Sequence, residues 1–257
     1  MKSASAGTRP VLLLDFDGTV CIGDAPVWAY AEAVISGLCD GDGVDETIRA
    51  RLGAFLDRTP GSPSYIDGYA AVAAITADHT STEQLQRAYR VSRQALRAGT
   101  LAVSAPQGLA ALLDELGTRV ERVLVTNAPE DGIAETLAGL GLDEAIDRVL
   151  TDAGKPAGWD RILRPLLADR QPQTVMAVGD IWANDIAEPL AAGCATALID
   201  RFDHHAGPAH ATATAMPELY PSIRAWADDP VGFVNTHPLP EPDSPSDPQR
   251  VRSSAQR

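Results

Sequence analysis

The chain is predicted to be an α/β protein, a doubly wound (Rossmann-like) parallel sheet carrying an inserted all-helical module. Three observations predict it. Short apolar runs of strand length recur along the chain. Helical patterns separate the later runs, as a parallel sheet with crossover helices requires. One long stretch, from about Gly23 to Gly99, holds helical patterns and no good strand.

Val11–Leu14 is a continuous apolar run of the kind buried on both faces of a parallel sheet. Four helices follow in the strand-free stretch, near Pro26–Cys39, Val44–Arg58, Ser64–Ala77 and Ser81–Ala98. Pro26 suits a first helical turn, and Ser81 with Gln84 has the spacing of a capping box. Breaks fall at Asp40-Gly-Asp-Gly43 and Thr59-Pro-Gly-Ser-Pro63, and hinges are expected near Cys21–Asp24 and Gly99–Ser104. The sheet then resumes. Strands are expected at Val120–Val125, Arg148–Leu150, Thr174–Val178 and Ala195–Ile199, with helices at Pro106–Leu116, Glu130–Leu140, Pro156–Ala168 and Asn184–Ala192. The division expected is a core of residues 9–22 and 101–234, a helical module of residues 23–100, and a tail of residues 235–257. The tail holds five prolines among Ser, Asp and Arg, a composition that favours disorder.

Length and composition narrow the possibilities. With 257 residues, 45% of them hydrophobic, the chain can bury a sizeable core. Its net charge of −14 disfavours nucleic acid and anionic membrane as partners, since both need clustered Lys and Arg. It does not forbid a small phosphorylated substrate, because a bound divalent cation reverses the local field. Cys21, Cys39 and Cys194 are too few and too scattered for a disulfide framework or a zinc site, and suit a cytoplasmic protein with reduced thiols. Neither a signal-peptide core nor an apolar stretch of membrane-spanning length is evident. Of 21 basic side chains only Lys2 and Lys155 are lysine. Where Arg is the default cation, Lys155 marks a place that needs a compact ammonium.

Four segments carry the chemistry: Asp15-Phe16-Asp17-Gly18-Thr19, Thr126-Asn127, Lys155-Pro156 and Gly179-Asp180-Ile181-Trp182-Ala183-Asn184-Asp185. Asp15, Thr126 and Asp180 fall where expected strands end, which is where open α/β sheets bind ligands. Together the segments supply a carboxylate nucleophile, a second carboxylate for proton transfer, a hydroxyl, a lysine, and further carboxylates for a hard cation. That is equipment for metal-assisted phosphoryl transfer. His204, His205 and His210 share a Gly/Pro-containing loop without fixed ligand spacing and are not read as a metal site.

In this order the segments resemble the motifs of the haloacid dehalogenase superfamily, in its phosphatase and phosphomutase branch. The resemblance covers about residues 9–22 and 101–200, and the helical insert resembles that family's cap, as in phosphoglycolate phosphatase and β-phosphoglucomutase. It implies Asp15 as nucleophile, forming an aspartyl-phosphate, and Asp17 as general acid and then general base. Mg²⁺ would be held by the Asp15 carboxylate, the Asp17 backbone carbonyl and Asp180. Asp185 would stand in the outer shell or orient Lys155. Thr126, with backbone N–H groups of Asn127 and near Gly18, would bind phosphoryl oxygens, and Thr19 would position Asp17 by a hydrogen bond. In the cap loop Arg58 would pair with a second anionic group and Tyr65 would stack on a ring. Trp28, Tyr30 and Trp182 suit either the pocket wall or packing. Asp17 argues for phosphate over carbon–halogen chemistry, and the lysine-free insert argues against a Schiff-base phosphonatase. The function expected is a Mg²⁺-dependent phosphomonoester hydrolase acting on a small metabolite such as a sugar phosphate, a nucleotide or a biosynthetic intermediate. A phosphomutase, and more remotely a non-catalytic binding protein, are the alternatives; oligomeric state is left open.

Overall fold

The computed structural model describes residues 9–38 and 44–239. Its centre is a six-stranded, wholly parallel sheet in the order β3-β2-β1-β4-β5-β6. The strands are β1 (Val11–Leu14), β2 (Glu121–Val125), β3 (Arg148–Leu150), β4 (Val175–Gly179), β5 (Ala195–Ile199) and β6 (Ala211–Ala213). All four β1 side chains are buried because both faces are covered. Leu12 and Leu14 join one apolar cluster, with Leu112, Leu116 and Trp226, and Val11 and Leu13 join the other, with Trp159 and Leu163. An apolar run without alternation is what such a strand requires.

The helices are α1 (Ala25–Ile35), α2 (Val44–Leu56), α3 (Gly68–Ile75), α4 (Thr82–Arg97), α5 (Leu109–Leu116), α6 (Ile133–Gly139), α7 (Trp159–Leu167), α8 (Ala187–Ala191), α9 (Met216–Asp228) and α10 (Pro230–Thr236). The first four lie in the expected helical stretch and share a core of their own, in which Val27, Tyr30, Val34, Ile48, Leu52 and Phe55 meet. Ser81 and Gln84 form the reciprocal capping box at α4. The two segments joining this block to the sheet are tied by an antiparallel bridge, with Ile22 N–H donating to Ser104 O (2.9 Å) and Ser104 N–H to Ile22 O (3.0 Å).

Four elements depart from the sequence reading. β6, α9 and α10 were not expected as separate elements. The strand is three residues at the sheet edge, and prolines at positions 217 and 221 blur the helical pattern of α9. The helix expected at Asn184–Ala192 begins with a π-helical turn over Trp182–Ile186 before α8. Finally, α10 runs one residue past the expected start of the tail. The rest of that tail beyond residue 239, like the Asp40–Gly43 break, lies outside the described residues. No described helix is long and apolar enough to cross a membrane.

Candidate active site

The strand order reverses between β1 and β4, which is where a ligand crevice forms in such sheets. Leu14 pairs with Val178 there, and Asp15 N–H continues the ladder onto Val178 O at 2.9 Å. Asp15 therefore leaves β1 beside Asp180 leaving β4. β2 flanks β1 on the other side and delivers Thr126. A cavity of about 560 Å³ opens over these strand ends, within the range of small-molecule sites.

The structure brings the sequence-predicted core residues together on the floor of this cavity. Lys155 Nζ donates to Asp15 Oδ1 (2.7 Å) and to Asp185 Oδ1 (2.6 Å). The other Asp185 oxygen accepts from Ile181 N–H at 3.0 Å. Both Asp185 oxygens are thus engaged, one by the lysine and one by the backbone. Asn127 acts on the same lysine from behind. Its side-chain N–H donates to Lys155 O (2.9 Å) while its Oδ1 accepts from Lys155 N–H (2.6 Å), across a cis Lys155–Pro156 bond. Asn127 thus positions Lys155 through its side chain, something the sequence reading had not assigned to it. Thr126 is buried, and its hydroxyl accepts from Ala128 N–H at 3.0 Å, which leaves its own proton to donate.

Gly18 is required by close approach. Its φ is +81°, and a Cβ there would stand 2.1 Å from Asp180 Oδ2. Gly179 is equally constrained, since a Cβ would lie 2.3 Å from that of Asp185. The two glycines let the acidic loops after β1 and β4 converge.

Electrostatics explain why the cluster needs cations. Burial opposes the Lys155 charge, but Asp15 and Asp185 outweigh it and push its pKa up to about 12. One ammonium cannot neutralise two carboxylates. Burial, followed by the charge of Asp15, raises Asp185 to about 7 against the pull of Lys155. Asp180 is raised well above the usual carboxylate range by burial, then by Asp15, Asp185, Asp67 and Asp17. Asp15, Asp180 and Asp185 offer oxygens all within 4.8 Å of one another. An all-oxygen set with excess negative charge fits a hard divalent cation such as Mg²⁺.

Asp17 has a partner the sequence reading missed. Arg93 Nη1, from α4, donates to both of its oxygens at 3.0 and 3.1 Å. The Arg93 side chain is 5% exposed, whereas that of Asp17 keeps 33% and lines the cavity. Burial raises the Asp17 pKa, Arg93 opposes the rise, and Asp15 adds to it. A signal was present in the sequence. Ala88, Ser92 and Leu96 lie on the buried face of α4, and Arg93 sits beside them at helical spacing. A buried guanidinium implies a carboxylate partner. Thr19, by contrast, does not bond Asp17. Its hydroxyl is buried with no hydrogen-bond partner among the described residues, because the turn after Phe16 folds it inward.

The predicted cap residues are not at the cavity. Arg58 is exposed in the turn after α2, in the left-handed region at φ 54°. Tyr65 packs edge-on against Phe55, with centroids 5.3 Å apart, and its hydroxyl accepts from Arg51 at 3.2 Å. The loop between them does not line the cavity, and its Ser64 hydroxyl instead meets His204 Nδ1 at 3.3 Å. Asp24, Asp67, Tyr69, Tyr89, Arg201 and Phe202 line the cavity instead. Asp24 holds the N-cap position of α1, yet its oxygens accept from Arg201 Nη1 and Nη2 at 2.7 and 2.8 Å. Phe202 stacks on Phe55 of α2 at 4.5 Å and so ties the loop after β5 to the helical block. Trp28 and Tyr30 pack in the helical core, and the Trp182 indole N–H donates to Pro208 O at 2.9 Å, so all three serve packing. Of the loop histidines, His210 accepts from Thr196 N–H at 3.2 Å, while His204 and His205 N–H groups bond Asp200.

No family model matches the chain, and no curated protein matches it in sequence. Solved structures do. A Bacillus subtilis protein described as a HAD-hydrolase bound to magnesium is 16% identical, with a TM-score of 0.56 over 82% of this chain and 97% of its own. A HAD family hydrolase of Deinococcus radiodurans, with bound phosphate and sodium, is 18% identical, with a TM-score of 0.53 over 86% and 96%. An L-2-haloacid dehalogenase, RSc1362, is 16% identical, with a TM-score of 0.53 over 86% and 100%. The fold is that of the haloacid dehalogenase-like hydrolases. Phosphatase-like and dehalogenase-like proteins both stand among these neighbours.

Proposed function

We propose that the protein is a cytoplasmic, Mg²⁺-dependent phosphomonoester hydrolase that works through an aspartyl-phosphate on Asp15. The observation that carries this reading is the second carboxylate, Asp17, placed at the cavity two residues after a lysine-paired Asp15. Carbon–halogen cleavage leaves a halide and needs no proton donor for its leaving group. Phosphate-ester cleavage leaves an alkoxide and does.

Asp15 attacks the phosphorus, and the bond to the ester oxygen breaks as Asp17 delivers its proton to that oxygen. Asp17, now a carboxylate, takes a proton from water as the water attacks the aspartyl-phosphate, and Asp15 and phosphate are regenerated. Thr126 and backbone N–H groups near Gly18 and Asn127 hold phosphoryl oxygens, and Lys155 balances their charge. Asp15, Asp180 and the Asp17 carbonyl would hold Mg²⁺, which supplies charge neutralisation and orientation. Arg93 is a positioning residue that holds the Asp17 carboxyl from the helical block. With the block in this position Arg93 already holds Asp17, and the same packing would exclude water from the site.

The test is phosphate release from a panel of sugar phosphates, nucleotides and an aryl phosphate, with Mg²⁺, with chelator, and in Asp15→Asn. Release that needs Mg²⁺ and is lost in Asp15→Asn is the expected result. Chloride release from 2-haloacids with none from any phosphate ester would overturn the reading.

A further inference from the structure

The walls of the cavity differ chemically from its floor, and the difference defines what the leaving group can be. Above the floor the lining is mostly apolar and aromatic: Val27, Leu56, Tyr69, Tyr89, Phe202 and Met216. The aromatic members are braced. Tyr69 and Tyr89 meet edge to face at 5.6 Å, and Phe202 is held by its stack on Phe55. The charged groups on these walls are Asp24, Asp67 and Arg201. The charge of Arg201 is matched by Asp24, to which each of its terminal nitrogens donates one N–H. Asp67 has no cationic partner among the described residues; it caps α3, with Oδ1 accepting from Ala70 N–H at 2.6 Å.

A phosphoryl group on the floor meets Lys155 and the cation site. A second phosphate or a carboxylate would instead face Asp67 across a largely apolar wall, where the lining cation, Arg201, already has its charge matched by Asp24. Like charges in a poorly solvated cavity repel strongly. Resting on the phosphomonoesterase reading, we propose that the substrate is an ester with a single phosphate and no second anionic group. Its leaving alcohol has a flat apolar or aromatic body and a hydroxyl or amino group that bonds Asp67. Bisphosphates and phosphorylated carboxylic acids are excluded. So is mutase chemistry passing through a bisphosphate, since that species must seat a second phosphate on this wall.

The test measures binding apart from turnover. Calorimetry on the full chain with Mg²⁺ compares benzylphosphonates bearing para-aminomethyl, para-hydroxymethyl or para-carboxyl groups, with inorganic phosphate as reference. The amino and hydroxyl compounds should bind at least about tenfold more tightly than the carboxyl compound. Asp67→Asn keeps a good helix cap and removes the charge, so the protein should fold and the preference for the ammonium should collapse. Equal or tighter binding of the carboxyl compound would overturn the proposal, as would failure of every phosphonate to exceed inorganic phosphate. If the expected binding order holds while para-hydroxymethylbenzyl phosphate is not hydrolysed, the hydrolase reading falls and the selectivity of the cavity stands.

Discussion

The floor and the walls of the cavity are built on opposite principles. The floor comes from four adjacent parallel strands, β3, β2, β1 and β4, and the loops that follow them, so its groups converge because neighbouring strands end together. The walls come from helices α1 to α4, the start of α9 and the loop after β5, segments that share no ladder and meet through side chains. The floor is crowded with carboxylates that Lys155 only half neutralises. The walls are apolar, and Arg201 is matched there by Asp24. Chemistry concentrated on rigid strand ends and selectivity on packed helices can vary independently.

Several measurements would break or sharpen this contrast. Asp15→Asn should cost the most, about 10⁴-fold or more in kcat, with folding intact by circular dichroism. Activity within tenfold of the unaltered protein would remove the floor as the reacting centre. Asp17→Asn should follow at about 10²- to 10⁴-fold. The loss should shrink for an aryl ester whose leaving oxygen needs no proton; an equal loss on every ester would deny Asp17 its acid role.

Arg93→Met links the two regions. Removing one member of a buried ion pair costs up to about 3–5 kcal/mol, and the partial exposure of Asp17 places the loss toward the lower part of that range. If Arg93 positions Asp17, kcat should fall with KM nearly unchanged, and the pH profile should shift. A Tm change alone would make Arg93 a packing residue.

The floor should also show in the pH dependence of stability. Asp185 is raised to about 7 in the folded chain. A carboxyl raised on folding favours the folded state fully below its unfolded pKa, and that contribution is lost as pH rises, here between about 4 and about 7. Mg²⁺ should compensate for the charge that appears. Its stabilisation, about 2.7 kcal/mol at a hundred times Kd, should therefore be larger at pH 8 than at pH 5 in thermal melts. A shift independent of pH would count against a cation among these carboxylates. The smallest effect belongs to Arg58→Ala, expected within about 0.5 kcal/mol of the parent in stability and near it in turnover. A large rise in KM would return the cap loop to the cavity.

Much was legible in the amino-acid order. Runs such as Val11–Leu14, alternating with helical patterns, read as buried strands, and a polar residue directly after such a run emerges at the strand's end. Asp15, Thr126 and Asp180 could therefore be placed from local pattern alone, and Lys155 stood out as one of two lysines in a chain that otherwise uses arginine. The capping box at Ser81 and the four-helix insert are likewise local. Tertiary structure decided what depends on contacts between distant segments. Arg93 reaches Asp17 across 76 positions, and Arg201 reaches Asp24 across 177. Thr19 was turned inward and Tyr65 was taken by Phe55, although both are residue types that could have served the site. Short-range pattern specifies which backbone forms and which face is apolar. Which side chains then meet is set by how the helical block packs on the sheet, and no local spacing encodes that.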